Sequence, residues 1–189
     1  MRHKIKYIFT AAWDLVFSTK QTWSHVEKEM KSVREIRSGY VFPWIAVCVL
    51  TSFVSSFFVS DTNLFEKAFL NFIITSAALV GGYFLTIKIC RRYFAKEYPL
   101  DENIVKIETV VAYSFTTIFL LEVITSVFPS LFFLQILSIH AAYLVWEGSG
   151  VVFGIEEDKK GNIALVFALA IIFVPVLINR AIHWMLPNV

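Results

Sequence analysis

Residues 131–161 read LFFLQILSIHAAYLVWEGSGVVFGIEEDKKG, and this stretch decides the fold. Its first part is an apolar run that continues to about Phe153. Only three strongly polar groups interrupt the run, namely Gln135, His140 and Glu147. A charged hairpin, EEDKKG, follows, and a second apolar run begins at Ile163. Because an apolar helix of about 20 residues crosses a bilayer, the stretch predicts two membrane spans joined by a loop too short to hold a domain.

The composition of the whole chain indicates the same class of protein. Of its 189 residues, 57% are hydrophobic and 17% are charged, whereas soluble domains average about 45–50% and about 25%. The net charge of +2 gives no reason to expect nucleic-acid binding. Cys48 and Cys90 lie far apart in apolar runs, so neither a metal site nor a disulfide framework is predicted. No cofactor is expected.

Apolar runs outside the opening stretch predict three further spans. The predicted spans cover residues 41–59, 68–90, 104–128, 131–153 and 163–178, the last extended towards residue 186. The first has 19 residues, which as a helix would measure about 28 Å, close to the roughly 30 Å hydrocarbon core. We therefore predict an all-α polytopic membrane protein, with a five-helix transmembrane domain over residues 41–189.

The residues before the first span form a different kind of segment. Residues 1–40 contain eight Lys/Arg and four Asp/Glu, and their apolar residues are spaced rather than continuous. Trp23, Val26, Met30 and Val33 recur at steps of three and four, which is typical of one face of an amphipathic helix. This face is expected to lie in the lipid headgroup region or to dock onto the bundle, and the pattern leaves both alternatives open.

Lys and Arg near the span ends predict the orientation of the protein. The N-terminal segment is basic, and the loops after spans two and four also carry basic residues, including Arg91, Arg92 and Lys160. The other ends of the spans have few, among them Lys67 and Arg180. We therefore expect the N-terminus in the cytoplasm and the C-terminus outside.

Small residues four apart predict close helix packing. The second span contains Ala77 with Gly81 and Ala78 with Gly82, and the fourth contains Gly150 with Gly154. Such pairs let the backbones of two membrane helices approach closely, which helps because lipid supplies no hydrophobic drive for association. We expect all three pairs to lie in packing faces.

Three segments of the chain resemble the Yip family of five-span membrane proteins, named for interaction with Rab GTPases, and especially its bacterial branch. The segments are residues 17–23 (FSTKQTW), residues 40–43 (YVFP), and residues 143–148 (YLVWEG) running into GIEEDKK at residues 154–160. Thr19 and Glu147 depart from the family's usual Pro and basic residue. The resemblance implies a fold and a membrane role, with location in a bacterial inner membrane, but no chemistry. Rab partners belong to eukaryotic members, and nothing in this sequence indicates a GTPase partner.

Five ionisable residues inside the predicted spans form a candidate intramembrane polar site. They are Glu108, Glu122, His140, Glu147 and Arg180. Charges in hydrocarbon cost about 2.5–3.5 kcal/mol on insertion scales and are usually paired or functional. Similar depth predicts pairing of Glu122 with Arg180, directly or through a vestibule, and of Glu108 with Lys88. His140 and Glu147 share a helix face, and an inter-helix hydrogen bond, proton transfer or metal binding remain open.

No catalytic constellation accompanies these residues, so an enzyme is not expected. The sequence favours a non-enzymatic membrane protein that organises lipids, other membrane proteins or copies of itself. The alternative is a small transporter, channel or lipid-moving protein that uses the polar groups of spans three and four. A wet cavity that reaches His140 would favour the alternative.

Overall fold

The computed structural model describes residues 2–58, 63–96, 98–99, 103–155 and 157–185, which contain helices and no strand. In chain order the helices are α1 (Arg2–Phe17), α2 (Thr19–Lys28), α3 (Val33–Ile36), α4 (Phe42–Ser55), α5 (Leu64–Phe94), α6 (Ile104–Ser114), α7 (Thr116–Val127), α8 (His140–Phe153) and α9 (Glu157–Met185). A π-helical turn at Arg37–Val41 and 3-10 helices at Ser56–Phe58 and Pro129–Ile139 extend these elements.

Five helical runs in the described residues are long and apolar enough to cross a membrane. They are Val33–Phe58, Leu64–Phe94, Ile104–Val127, Pro129–Phe153 and Lys160–Met185, here called the first to fifth spans. The predicted five-helix transmembrane fold is thus confirmed. We call the end of the bundle at Arg37 and Arg91 the basic end, and the end at Asn63 and Phe128 the opposite end.

The first span begins eight residues before its predicted start at Val41, because a helix start signal lies at Ser32. The Ser32 side chain accepts a hydrogen bond from the Glu35 backbone N–H, and the Glu35 carboxylate accepts one from the Ser32 N–H. This reciprocal capping box starts a new helix. The prediction of one amphipathic helix from Trp23 to Val33 was therefore wrong, since α2 ends at Lys28.

Pro43 explains the π-helical turn that precedes it at Arg37–Val41. A proline within a helix clashes with the carbonyl four residues earlier and donates no hydrogen bond. Here Pro43 is the second residue of α4, directly after the wider turn at Arg37–Val41. The widened turn lets the helix pass the proline without ending, and it begins at Arg37, a residue of the site described below.

The N-terminal helices differ in how much of their apolar surface is buried against the bundle. On α2, Trp23 and Val26 are buried against the bundle, and the Trp23 ring packs edge-on against Tyr113 with centroids 6.1 Å apart. On α1, by contrast, Trp13 and Phe17 are each about two-thirds exposed, and their rings are 4.3 Å apart. Thus α2 docks on the bundle, and α1 is also partly buried in the core but presents an aromatic face that suits the headgroup region.

The second and fifth spans pack at close range through the predicted small residues. A Cβ atom added to Gly82 would lie 2.9–3.0 Å from three atoms of Pro175, while one on Gly81 would meet Ile178 at an ordinary 3.5 Å. This confirms the packing face for Ala78 and Gly82, which are buried, whereas the pair that includes Ala77 is not buried, because Ala77 is exposed. The fourth-span pair is different, because Gly154 ends α8 with a φ of +64°. A Cβ atom added to Gly154 would have no neighbour within 4 Å. Placing Gly154 in a packing face was wrong.

The fourth span changes character along its length. Its second half is α8, whose small residues pack on α2, α6 and α9. Its first half, Pro129–Ile139, is a 3-10 helix without a buried residue. Phe132 and Ile136 are each more than 70% exposed there. This half of the span therefore faces the surroundings of the bundle.

Candidate functional site

At the basic end, four side chains from the first three spans form what we call the Glu108 cluster: Arg37, Tyr83, Arg91 and Glu108. Arg37 binds the carboxylate with two donors, Nε to Oε1 and Nη2 to Oε2, the second at 3.0 Å. Tyr83 Oη donates to Oε1 at 2.7 Å, and Arg91 Nη2 donates to Oε2 at 3.1 Å. Each carboxylate oxygen therefore accepts two hydrogen bonds.

Burial makes this cluster costly to break. The Glu108 side chain is fully buried, whereas those of Arg37 and Arg91 are 26% and 30% exposed. The Arg37 guanidinium also lies over the Phe84 ring, 5.0 Å from its centroid. A buried carboxylate left without its cations destabilises a protein by about 3–5 kcal/mol. The cluster thus joins three spans at a point where none of its charges is left in hydrocarbon alone.

The predicted pairing of Glu108 with Lys88 was wrong. Tyr83, Ile87 and Arg91 are spaced by four on α5 and share the buried face, while Lys88 is exposed. Depth in the membrane therefore predicted the helix that carries the partner of Glu108, but the face of that helix determined that the partner is Arg91 rather than Lys88. Arg37 was missed because it was assigned to the amphipathic segment rather than to the first span.

His140 has a partner that suits a structural role. Its Nδ1 lies 3.2 Å from Thr117 Oγ1, which joins α8 to α7. This is the inter-helix hydrogen bond that was one of the three alternatives. Glu147 lies seven residues after His140 on the same helix face and is half-buried. It makes no hydrogen bond or ion pair with the described residues. No group of three or more His, Cys, Asp or Glu in the described residues is arranged to hold a metal ion.

Near the opposite end, a cavity of about 540 Å³ lies between α5, α7, α9 and the 3-10 half of the fourth span. We call it the opposite cavity. The polar residues that line it are Thr75, Glu122, Gln135, Ser138, Asn179, Arg180 and His183. Ile118, Ile172 and Val176 contribute apolar wall. Its volume falls within the roughly 300–1,000 Å³ of small-molecule sites.

Glu122 and Arg180 both line the opposite cavity, but they do not bind each other directly. No ion pair within 4.0 Å joins them, and neither side chain makes a hydrogen bond with the described residues. Glu122 is half-buried, and Arg180 is exposed at the cavity. Of the two predicted forms of their pairing, only the indirect one across a vestibule is compatible with this geometry. His140 is not among the lining residues.

The five candidate residues therefore fall into three places rather than one site. Glu108 belongs to the cluster at the basic end, Glu122 and Arg180 to the opposite cavity, and His140 with Glu147 to the fourth span. Depth predicted the separation of Glu108 from Glu122. No sequence pattern indicated the cavity itself, because its walls come from four separate helical segments.

These features define a polytopic α-helical membrane protein of five spans. The model of the Yip1 domain matches residues 13–178, which is most of the chain. The protein belongs to the Yip family. No curated protein and no solved structure gave a significant match.

Proposed function

We propose that this protein is a non-enzymatic membrane protein that binds lipid in the opposite cavity. Through the bound lipid it organises lipids or other membrane proteins around itself. The observation that carries the proposal is the contrast between the two ends. At the basic end, Glu108 is fully satisfied by Arg37, Tyr83 and Arg91. In the opposite cavity, Glu122 and Arg180 line the same space, and neither makes a hydrogen bond or ion pair with the residues that the structure describes.

Membrane-embedded charges are usually paired with one another or with a ligand. A cavity with apolar walls and unsatisfied polar groups has the composition of a binding site. It adjoins the 3-10 half of the fourth span, whose apolar side chains are exposed along its length. A lipid headgroup can occupy the cavity while its acyl chains lie against those side chains.

The remaining parts of the proposal concern orientation and partners. We place the basic end in the cytoplasm, since Lys and Arg are retained on that side of a membrane. We treat the N-terminal segment as cytoplasmic and attached to the five-span domain, with the boundary at Val33, where the first span begins, rather than at the predicted residue 41. The partners are the bilayer lipids, other membrane proteins or a second copy, in a plasma membrane of bacterial type.

The test is the lipid that stays bound after mild extraction. Native mass spectrometry should show lipid retained by the wild-type protein. Ser138→Trp, which fills the cavity from its wall, should lose that lipid. Ser130→Trp is the matched control, because Ser130 is exposed on the same 3-10 helix outside the cavity. Equal retention by both variants, or none by the wild type, would refute the proposal.

The second candidate is transport across the bilayer, which the ionisable groups of the opposite cavity favour. A transporter needs a path to both sides of the membrane. The opposite cavity lies at one end, and the polar groups at the other end are held in the Glu108 cluster. Flux of ions or labelled lipid across proteoliposomes that is abolished by Ser138→Trp would favour transport over the organiser.

A further inference from the structure

We propose that the opposite cavity selects a zwitterionic headgroup, one that carries both a phosphate and a primary ammonium group. This inference rests on the proposed function and names its ligand class. The cavity presents one carboxylate, Glu122, and one guanidinium, Arg180, and they are not within 4.0 Å of each other. The ligand must therefore satisfy two opposite charges at separate positions.

Charge balance distinguishes between ligand classes. An anionic ligand would pair with Arg180 but would leave Glu122 unpaired in a half-buried position. A cationic ligand would pair with Glu122 and leave Arg180 without a partner. A zwitterion satisfies both and brings no net charge into the membrane, which avoids the cost of an isolated charge there.

Hydrogen-bond chemistry assigns the two ends of the ligand. A guanidinium has a planar fork of donors that matches phosphate oxygens, so Arg180 is the phosphate partner. A primary ammonium has three donors and can bind the Glu122 carboxylate, whereas a quaternary ammonium has none. Asn179 and Gln135 add neutral polar groups to the lining of the cavity. Phosphatidylethanolamine therefore fits better than phosphatidylcholine or phosphatidylglycerol.

The environment of the cavity favours a lipid as the source of this headgroup. Ile118, Ile172 and Val176 supply apolar wall beside the charged groups. The adjoining 3-10 helix exposes Phe132 and Ile136 along the side of the bundle. A free phosphoethanolamine would leave these apolar surfaces unfilled, while an acyl chain would cover them.

The experiment measures binding of three lipids to the full-length protein by native mass spectrometry, with phosphatidylethanolamine, phosphatidylcholine and phosphatidylglycerol added separately at equal concentration. Wild type should bind phosphatidylethanolamine about tenfold more tightly than either of the others, the size expected when one charge-assisted hydrogen-bonded contact is lost. Glu122→Gln should remove this preference. Arg180→Gln should weaken binding of all three. Glu66→Gln, an exposed carboxylate outside the cavity, should keep the wild-type pattern.

A further arm adds free phosphoethanolamine to protein in nanodiscs of phosphatidylglycerol. If the free compound binds as tightly as the lipid, the zwitterion class stands but its source is the soluble compound. Equal binding of the three lipids by wild type, or an unchanged preference in Glu122→Gln, overturns the inference. If the wild type binds the three lipids equally and Ser138→Trp loses that bound lipid, the inference about the headgroup fails but the proposed function survives.

Discussion

The Trp23 indole lies directly against Gly148, so closely that a Cβ atom at Gly148 would come within 2.6–2.9 Å of three carbons of the ring. This contact joins α2 to the fourth span. It depends on glycine because the ring occupies the space that any other side chain would need. The approach of α2 to the fourth span is therefore set by one aromatic residue and one glycine.

Gly148→Ala should detach or displace α2. Filling the space under the ring forces a backbone or ring shift, and such overpacking costs about 1–3 kcal/mol. The expected result is a lower melting temperature in detergent and faster proteolysis between residues 18 and 32. The control is Gly39→Ala, since a Cβ there meets nothing within 4 Å. Unchanged proteolysis in Gly148→Ala would mean that α2 is not docked as described.

Glu108→Gln should destabilise the protein more than any single change at its exposed neighbours. It removes the charge that Arg37 and Arg91 share, in a fully buried position, and the expected loss is about 1.5–3 kcal/mol, the usual contribution of a hydrogen bond to a charged group. Lys88→Gln should have little effect, because Lys88 is exposed on another face of the same helix. Thermal unfolding in detergent measures both.

A double-mutant cycle distinguishes loss of the Arg37–Glu108 interaction from general destabilisation of the protein. Arg37→Gln should cost less in the Glu108→Gln background than in the wild type, because the salt bridge is already lost. Additive losses of stability would show that Arg37 and Glu108 do not interact in solution.

Gly81→Ala and Gly82→Ala should have opposite effects on stability. Alanine is favoured over glycine in a helix by about 1 kcal/mol. At Gly81 the added methyl meets Ile178 at 3.5 Å, so the helix gain remains. At Gly82 it meets Pro175 at 2.9–3.0 Å, including a backbone atom, so α5 and α9 must separate. Thermal melting should rise slightly for the first variant and fall for the second.

Cysteine labelling tests the orientation. The native thiols Cys48 and Cys90 are buried and would be replaced by alanine. Single cysteines at Glu66 and Lys96, both exposed and at opposite ends of α5 and its following turn, should then differ in labelling by an impermeant reagent. We expect Glu66→Cys to label from outside and Lys96→Cys only after permeabilisation. Labelling of both from the same side would contradict the five-span topology.

Hydropathy was sufficient to predict the number and order of spans, because each apolar run is bounded by charges or turn residues. It failed at the start of the first span, where Ser32 and Glu35 begin a helix with polar residues. Lateral partners were harder to predict. The position of Lys88 along the second span suited a pair with Glu108, but the face of the helix favoured Arg91.

The indole of Trp44 shows the same limit. It stands near the start of the predicted first span, a depth at which a Trp ring usually sits in the membrane interface. In the structure it is buried, stacked on Phe119 with centroids 6.3 Å apart. The first span begins earlier than predicted, so Trp44 lies deeper in the bundle. An error of eight residues at one boundary therefore changed the expected surroundings of a side chain.

The 3-10 helix in the fourth span has a consequence for bilayers of different thickness. A 3-10 helix rises about 2.0 Å per residue, against about 1.5 Å in an α-helix. Conversion of the residues after Leu131 to α-helix would shorten the span by about 4 Å. No residue of Pro129–Ile139 is buried, so the change would alter contacts with α7, such as the hydrogen bond from Gln135 to Thr125, but would not disrupt the core. The fourth span can thus adjust its length to a thinner membrane while the packed spans around it keep theirs.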